Sequence, residues 1–245
     1  MFTVPVTVNG KPLRMQVDTG ADYGGLYGQV EDWPDAGFVE RDDVPAYATS
    51  VAMDVGGVTL NTETVLHYES NSISEIAGTI GYDNLRDRIW LIDPRADRFC
   101  HIKPGHPALG SLRFVDTPVR FNKQYLPLKF EGEAVDGLFF DTGSVFSLLV
   151  PELWERTTDP DGEDMSVEVP SWGEMVRLEG RTAKGGWTLG GELLAIRALI
   201  REDDPASLQD ARLDQPMQGL LGMSAFDGRT VVLDLREGRE RFGWE

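Results

Sequence analysis

The chain has 245 residues, of which 41% are hydrophobic and 26% are charged, a composition typical of a folded globular protein and not of a disordered or fibrous one. Its formal net charge of −18 at pH 7 repels phosphate groups, and no stretch approaches the roughly 18 apolar residues of a membrane-spanning helix. Neither nucleic acid nor a membrane is therefore an expected partner.

Short strands dominate the predicted elements. The chain opens with alternating apolar and polar residues at 2–8 and 13–17, around Asn9-Gly10, a dipeptide that favours a tight hairpin turn. Further strands are predicted at residues 50–55, 58–67, 89–92, 126–130, 137–140, 166–169, 174–178, 193–200 and 230–235, and short helices at residues 84–88 and 151–156. These elements predict an all-β fold.

Three motifs occur twice, in the same order. The pairs are VDTGA at residues 17–21 and FDTGS at 140–144, GGVTL at 56–60 and GGWTL at 185–189, and TIG at 79–81 and LLG at 220–222. Both glycine doublets are predicted to form hairpin turns. The duplication predicts two lobes, at residues 1–100 and 120–245, with an inter-lobe linker at residues 101–119.

The repeated Asp-Thr-Gly triplet is the candidate for chemistry. Each triplet follows an apolar strand, so that Asp18 and Asp141 would lie at strand ends. Two such loops brought together would face two carboxyl groups that cannot both ionise and therefore share one proton. Such a pair supplies a base and an acid at once, which is what the attack of water on an amide requires.

With these motifs the sequence resembles the aspartic proteases, both the bilobal pepsin type and the dimeric retropepsin type. The resemblance implies a bilobal acid-protease fold, with two β lobes related by a pseudo-twofold axis and the active-site cleft between them. It implies Asp18 and Asp141 as the catalytic pair of an endopeptidase that needs no cofactor. The threonines are implied to interlock across the loops in the arrangement called the fireman's grip. The supporting loop residues are Thr19, Gly20, Ala21, Thr142, Gly143 and Ser144.

The resemblance also implies an extended peptide or protein substrate, with apolar side chains preferred beside the cleaved bond. Because both halves of the site lie in one chain, an active monomer is expected. The N-terminal flap would fall in residues 38–50, and a hairpin with an aromatic tip at residues 170–173 would be its C-terminal counterpart. Candidate substrate contacts are Trp172, Tyr47, Tyr23, Leu26 and Phe146.

The residue after each triplet differs, being Ala21 in the first and Ser144 in the second. A hydroxyl at Ser144 that donated to Asp141 would stabilise the charged carboxylate. This predicts that Asp141 carries the charge and Asp18 the proton.

Two alternatives use the same residues. The triplets could be turns in which the aspartates cap nearby amides. A degenerate protease-fold module could instead bind peptides without cleaving them.

No metal is predicted, because the histidines and the single cysteine do not have the spacing of a metal site. These residues are His67, His101, His106 and Cys100. No signal peptide is recognisable in the numbered chain, so a cytoplasmic protein and an exported one without its leader both fit.

Overall fold

A computed structural model describes residues 2–27, 37–41, 44–49, 51–61, 65–68, 76–171, 174–203, 216–226 and 228–245, with only the backbone described at 37–49, 61, 65–68, 170–171 and 174. The chain is mostly β, as the sequence predicts. Within the described residues, no helix has the length and apolar character needed to cross a membrane.

The N-terminal half covers the described residues from 2 to 102. Its elements are β1 (Thr3–Val8), β2 (Lys11–Val17), β3 (Gly25–Tyr27), β4 (Gly37–Arg41), β5 (Val44–Thr49), β6 (Ala52–Val55), β7 (Val58–Asn61), β8 (Val65–Tyr68), β9 (Gly78–Ile80), α1 (Tyr82–Leu85), β10 (Ile89–Asp93) and β11 (Arg98–Ile102), with a 3-10 turn at Pro94–Ala96.

The C-terminal half covers the described residues from 113 to 245 and follows a 3-10 turn at Pro107–Leu109. Its elements are β12 (Arg113–Asp116), β13 (Val119–Arg120), β14 (Lys123–Gln124), β15 (Leu128–Phe130), β16 (Glu133–Val135), β17 (Leu138–Asp141), β18 (Ser147–Leu149), α2 (Pro151–Thr157), β19 (Asp164–Ser171), β20 (Glu174–Thr182), β21 (Trp187–Leu189), β22 (Glu192–Leu193), β23 (Ala198–Arg201), β24 (Gly219–Gly222), β25 (Val231–Asp234) and β26 (Arg241–Trp244), with a 3-10 turn at Met223–Phe226.

The two halves repeat one strand order. The N-terminal half forms a nine-stranded sheet in the order β4-β5-β8-β3-β9-β2-β1-β6-β7. The C-terminal half forms a six-stranded sheet, β19-β20-β23-β18-β24-β17, and a four-stranded sheet, β16-β15-β21-β22. These orders match strand for strand when β16 and β17 together replace β2. The break between them lies at Gly137, whose φ of 78° interrupts the strand.

Equivalent hairpins turn in the same way. Asn9-Gly10, between β1 and β2, has φ angles of 48° and 82°, and Glu131-Gly132, between β15 and β16, has 51° and 88°. Positive φ at both central residues suits the right-handed twist of the flanking strands.

The second pair of hairpin turns corrects the predicted repeat. Gly56-Gly57, between β6 and β7, has φ angles of 58° and 82°, and its counterpart between β21 and β22 is Gly190-Gly191, with 58° and 84°. Gly185-Gly186 precedes β21 and does not form the predicted hairpin turn. The GGVTL and GGWTL motifs are similar in sequence, but the position of a hairpin turn depends on which strands pair and not on a shared glycine doublet.

A five-stranded sheet, β11-β10-β25-β26-β12, joins the two halves. Its central strands, β10 and β25, are antiparallel with Leu91 opposite Val232, which are equivalent residues of the two repeats. This pairing gives the sheet an approximate twofold axis. Because β12 pairs with β26, residues 113–116 of the predicted linker form part of this sheet.

Two predicted strands are each divided in the structure. Residues 58–67 supply both β7, which pairs with β6, and β8, which pairs with β3 and β5. Residues 193–200 likewise contribute to β22 and β23, which belong to different sheets. A sequence pattern that continues without a break does not show at which residue one strand ends and the next, with a different pairing partner, begins.

Candidate active site

The two Asp-Thr-Gly loops leave equivalent strands. Asp18 follows β2, and its amide donates to the carbonyl of Ile80 on the parallel neighbour β9 at 3.0 Å. Asp141 ends β17 and pairs with Gly222 on the parallel neighbour β24. Beyond the loops, the Tyr82 amide donates to the carbonyl of Ala21, as the Met223 amide does to that of Ser144, at 2.8 and 3.0 Å. Each loop therefore lies in the same backbone frame.

The threonines of the triplets bind each other's loops reciprocally. The Thr19 amide donates to the Thr142 hydroxyl at 3.0 Å, and the Thr142 amide donates to the Thr19 hydroxyl at 3.1 Å. Each hydroxyl then donates to a carbonyl across the axis, Thr19 to Phe140 at 3.0 Å and Thr142 to Val17 at 2.9 Å. Both threonines are buried, so these four bonds hold the loops together where water does not compete.

The glycines allow the opposite carboxyl group to approach. A Cβ atom on Gly20 would lie 2.5 Å from Asp141 Oδ2, and one on Gly143 would lie 2.5 Å from Asp18 Oδ1. Any side chain at either position would displace the other loop's carboxyl group, so glycine is required here for space.

Backbone amides orient both carboxyl groups. Asp18 Oδ1 accepts from the amides of Gly20 and Ala21, at 2.9 and 3.0 Å. Asp141 Oδ1 accepts from Gly143 at 2.8 Å and, across the axis, from Gly20 at 3.0 Å. The Gly20 amide is thus shared between the two aspartates.

The two aspartates differ in burial. Asp141 is buried, whereas Asp18 is half-buried and so in contact with solvent. Burial raises the pKa of Asp141 well above its usual range, and the charge of Asp18 and a hydrogen bond between the two carboxyl groups raise it further. The amides of Gly143 and Gly20 oppose this rise without cancelling it. Burial and the neighbouring charge therefore favour the protonated form of Asp141.

The direction of the Ser144 hydroxyl removes the basis of the predicted charge assignment. The Ser144 hydroxyl donates to the carbonyl of Phe146 at 2.7 Å, so its single hydrogen does not reach Asp141. Without that donor, the burial of Asp141 favours its protonated form, which is opposite to the predicted assignment.

The other predicted contacts have different outcomes. Tyr23 and Phe146 occupy equivalent, half-buried positions after the two loops. Leu26 is fully buried in the main hydrophobic core, so it stabilises β3 instead of lining an open cleft. Tyr47 lies on β5, where only the backbone is described, and Trp172 lies outside the described residues.

Two polar contacts near the loops were not predicted. Gln16 Nε2 donates to the Gly143 carbonyl at 3.0 Å, across the axis. The Tyr27 and Thr79 hydroxyls form a hydrogen bond of 2.8 Å. Burial raises the pKa of Tyr27, the bond with Thr79 opposes that rise, and the charge of Asp18 adds to it. One signal could have identified Gln16: it lies two residues before Asp18 and hence on the same face of the strand.

An ion pair also links the halves beside the site. Lys123, on β14 of the C-terminal half, binds Asp22 in the loop after the N-terminal triplet. The neighbouring Asn122 side chain donates to Asp83 at 3.3 Å. Both contacts are partly buried and tie the β13–β14 hairpin to the N-terminal loop.

Among the residues that the structure describes, no group of three or more His, Cys, Asp or Glu side chains is arranged to hold a metal ion. No protein-family model and no curated protein sequence matches the chain.

Proposed function

We propose that the protein is an aspartic endopeptidase of the bilobal acid-protease fold, in which water held between Asp18 and Asp141 attacks a peptide bond. The observation that carries this proposal is the reciprocal hydrogen bonding of Thr19 and Thr142. It fixes two carboxyl groups in hydrogen-bond contact, with one of them open to solvent. The duplicated strand order and the sheet that joins the halves support a two-lobed arrangement around this pair.

The protonation of the pair assigns the roles. Asp18 accepts a proton from the water as the water oxygen bonds to the peptide carbonyl carbon, and neutral Asp141 donates its proton to the carbonyl oxygen. When the resulting diol collapses, the carbon–nitrogen bond breaks and Asp18 gives its proton to the leaving nitrogen. One hydroxyl of the diol returns its proton to Asp141, which leaves a carboxylic acid as the other product. Because the pair then again holds one proton, no cofactor takes part in the proposed cycle.

The raised pKa of Asp141 predicts how the rate depends on pH. The proposed acid acts only while it is protonated, so hydrolysis is lost as pH rises through the raised pKa of Asp141. Since that pKa lies well above the range of an ordinary aspartate, activity extends into mildly acidic solution. At strongly acidic pH the pair takes up a second proton, and the rate falls because no base remains.

The proposed substrate is an extended peptide or protein, and the proposed active form is a monomer. One chain supplies both aspartates, so dimerisation is not needed to complete the pair. An extended peptide can also pair its backbone with neighbouring strands. Gel filtration combined with an activity assay of the eluted fractions should place hydrolysis in the monomer peak.

The decisive experiment measures cleavage of denatured casein and of a quenched fluorescent peptide library between pH 3 and pH 8. Asp18→Asn and Asp141→Asn should each abolish cleavage, a loss of at least about a thousandfold that no other single substitution should match. Asp54→Asn is the matched control, because Asp54 caps a hairpin turn through the Gly57 amide away from the site and should leave the rate unchanged.

A statine-type inhibitor should block the cleavage, since its hydroxyl takes the place of the attacking water. Cleavage that survives in both asparagine variants would reject the proposal, because it would come from another enzyme. Wild-type protein that binds the inhibitor or peptides but cleaves nothing would instead identify a peptide-binding module.

A further inference from the structure

The strands that carry the two aspartates each present a second side chain to the site. Side chains alternate between the faces of a strand, so Gln16 shares the face of Asp18, and Phe139 shares that of Asp141. The residues between them point into the core, where Val17 is fully buried. Gln16 and Phe139 are therefore equivalent residues on the catalytic side of the two halves.

The neighbouring strands extend both surfaces. In the N-terminal half Gln16 pairs with Thr79, and in the C-terminal half Phe139 pairs with Leu220. Both strand pairs are parallel and in the same register relative to the aspartates. Thr79 is 6% exposed and Leu220 is 8% exposed, so the two equivalent residues differ in chemistry and not in burial.

The N-terminal surface is polar. Its Gln16 side chain reaches the catalytic loop of the other half through the 3.0 Å bond to the Gly143 carbonyl. Thr79 and Tyr27 add two hydroxyl groups, joined by a 2.8 Å hydrogen bond. We refer to Gln16, Thr79 and Tyr27 as the polar wall.

The C-terminal surface is largely apolar, with one cationic neighbour, because Lys123 Nζ lies 6.0 Å from the centre of the Phe139 ring. Phe139, Leu220 and Met217 form a hydrophobic cluster that is separate from the main core, and Leu148 and Val150 pack against it. Val150 is the counterpart of Tyr27. We refer to Phe139, Leu220 and Val150 as the apolar wall.

The loops that follow the triplets show the same contrast. The Asp83 amide donates to the Asp22 carbonyl at 3.1 Å, and the Ser224 amide donates to the Val145 carbonyl at 2.9 Å, so Asp22 and Val145 are equivalent. Asp22 forms an ion pair with Lys123, whereas Val145 is an apolar residue that is 39% exposed. The polarity difference therefore continues from the strands into the loops.

We propose that the site distinguishes the two sides of the bond it cleaves, taking a polar, uncharged side chain against the polar wall and an apolar side chain against the apolar wall. This inference rests on the proposed peptidase function and makes its substrate asymmetric, in contrast to the apolar preference on both sides that the sequence resemblance implies. An apolar side chain against the polar wall would offer no hydrogen bond to its amide and hydroxyl groups, whereas a polar, uncharged side chain can bond to them in addition to their existing partners. A polar side chain against the apolar wall would lose its own hydrogen bonds to water.

The test is a cleavage profile of a peptide library derived from a whole proteome, read by mass spectrometry. The wild-type profile should show apolar residues enriched on one side of the cut and Ser, Thr, Asn and Gln enriched on the other, each by about tenfold. Thr79→Val removes one hydroxyl at nearly constant volume and should shift only the polar side toward apolar residues. Leu220→Thr should shift only the other side, in the opposite direction.

Two further variants separate specificity from structural damage. Thr79→Ser keeps the hydroxyl and should keep the wild-type profile, while Thr59→Val alters an exposed threonine of β7 and should change nothing. Thr79→Val decides the result even if Leu220→Thr fails to fold, because its shape closely matches that of the wild-type residue.

Cleavage with the same apolar preference on both sides, or a Thr79→Val profile equal to wild type, would overturn this inference and leave the peptidase proposal standing. Absence of cleavage from the wild-type protein would overturn the peptidase proposal and this inference with it.

Discussion

The two halves of the chain share a backbone down to individual turns, yet they surround their aspartates with different side chains. The hairpin turns at Asn9-Gly10 and Glu131-Gly132 differ by only a few degrees in φ. Gln16, by contrast, is replaced by Phe139 at the equivalent position. The shared backbone therefore depends on a few positions, namely the Asp-Thr-Gly triplets and the turn residues. The positions between them can differ in polarity without changing that backbone.

After substitution of the aspartates themselves, the largest effect should come from the glycines that make contact across the axis. Gly20→Ala and Gly143→Ala each place a methyl group 2.5 Å from an oxygen of the opposite carboxyl group, so one loop must shift. A displacement of about 1 Å at the reacting groups lowers a rate by about a hundredfold, and both variants should lose peptidase activity by at least that factor. Gly185→Ala, which meets no atom within 4 Å, is the control. Full activity in either variant would contradict the close approach.

The next effect concerns stability. Thr19→Val and Thr142→Val each remove a hydroxyl that accepts from one amide and donates to one carbonyl, all in buried surroundings. Each variant should lose about 2–4 kcal/mol of unfolding free energy in urea titrations, and the two losses should agree, since the bonds are reciprocal. Thr142→Ser should recover most of the loss. A large difference between the two valine variants would break the equivalence of the halves.

A smaller effect is expected at Asp234, which ends β25. Burial alone would raise its pKa, but hydrogen bonds from Arg236 and Arg241 outweigh burial and lower it. A lowered pKa contributes stability above the carboxyl range of the unfolded chain, and that stability is lost as pH falls through the folded-state pKa. Asp234→Asn should therefore cost about 1–3 kcal/mol at pH 7 and much less near pH 3.

Asp93 is the equivalent aspartate of the N-terminal half, and its substitution can be compared directly with that of Asp234. A hydrogen bond from Arg98 is the main cause that lowers the pKa of Asp93, and this arginine is largely exposed. Asp93→Asn should cost less than about 1 kcal/mol at pH 7, again with a smaller effect in acid. Thermal unfolding of both variants across pH would measure the difference. If Asp93→Asn and Asp234→Asn lost the same unfolding free energy, the burial of the aspartate–arginine pair would not determine its contribution to stability.

The smallest effect should come from the residue after each triplet. Because the Ser144 hydroxyl donates to the Phe146 carbonyl, Ser144→Ala should leave the alkaline limb of the pH–rate profile unchanged. Its cost in stability should be about 1 kcal/mol or less. Ala21→Ser provides the reciprocal variant. A shift of the alkaline limb in Ser144→Ala would instead indicate that the Ser144 hydroxyl of the wild-type protein donates to Asp141.

Several features of the fold and site were predictable from sequence because their signals are local. Asn9-Gly10 predicts a turn because both residues tolerate positive φ, and the alternation of apolar and polar residues on either side predicts two strands. The triplets at residues 17–21 and 140–144 are recognisable because the same short run occurs twice in the same context. The sequence alone therefore determined that the chain is β-rich and duplicated, and it identified Asp18 and Asp141 as the candidate functional residues.

Other features depend on contacts between residues far apart in the chain. The Thr19 amide and the Thr142 hydroxyl are 123 residues apart, and their hydrogen bond exists only after both halves have folded. The surroundings of Asp141 likewise depend on both halves, because the Gly20 amide of the N-terminal half donates to its carboxyl group at 3.0 Å. Only the tertiary structure decided that Asp141 is the more buried aspartate, for which the protonated form is favoured, because the pKa of a carboxyl group depends on its solvent, charges and hydrogen-bond donors and not on its place in a motif.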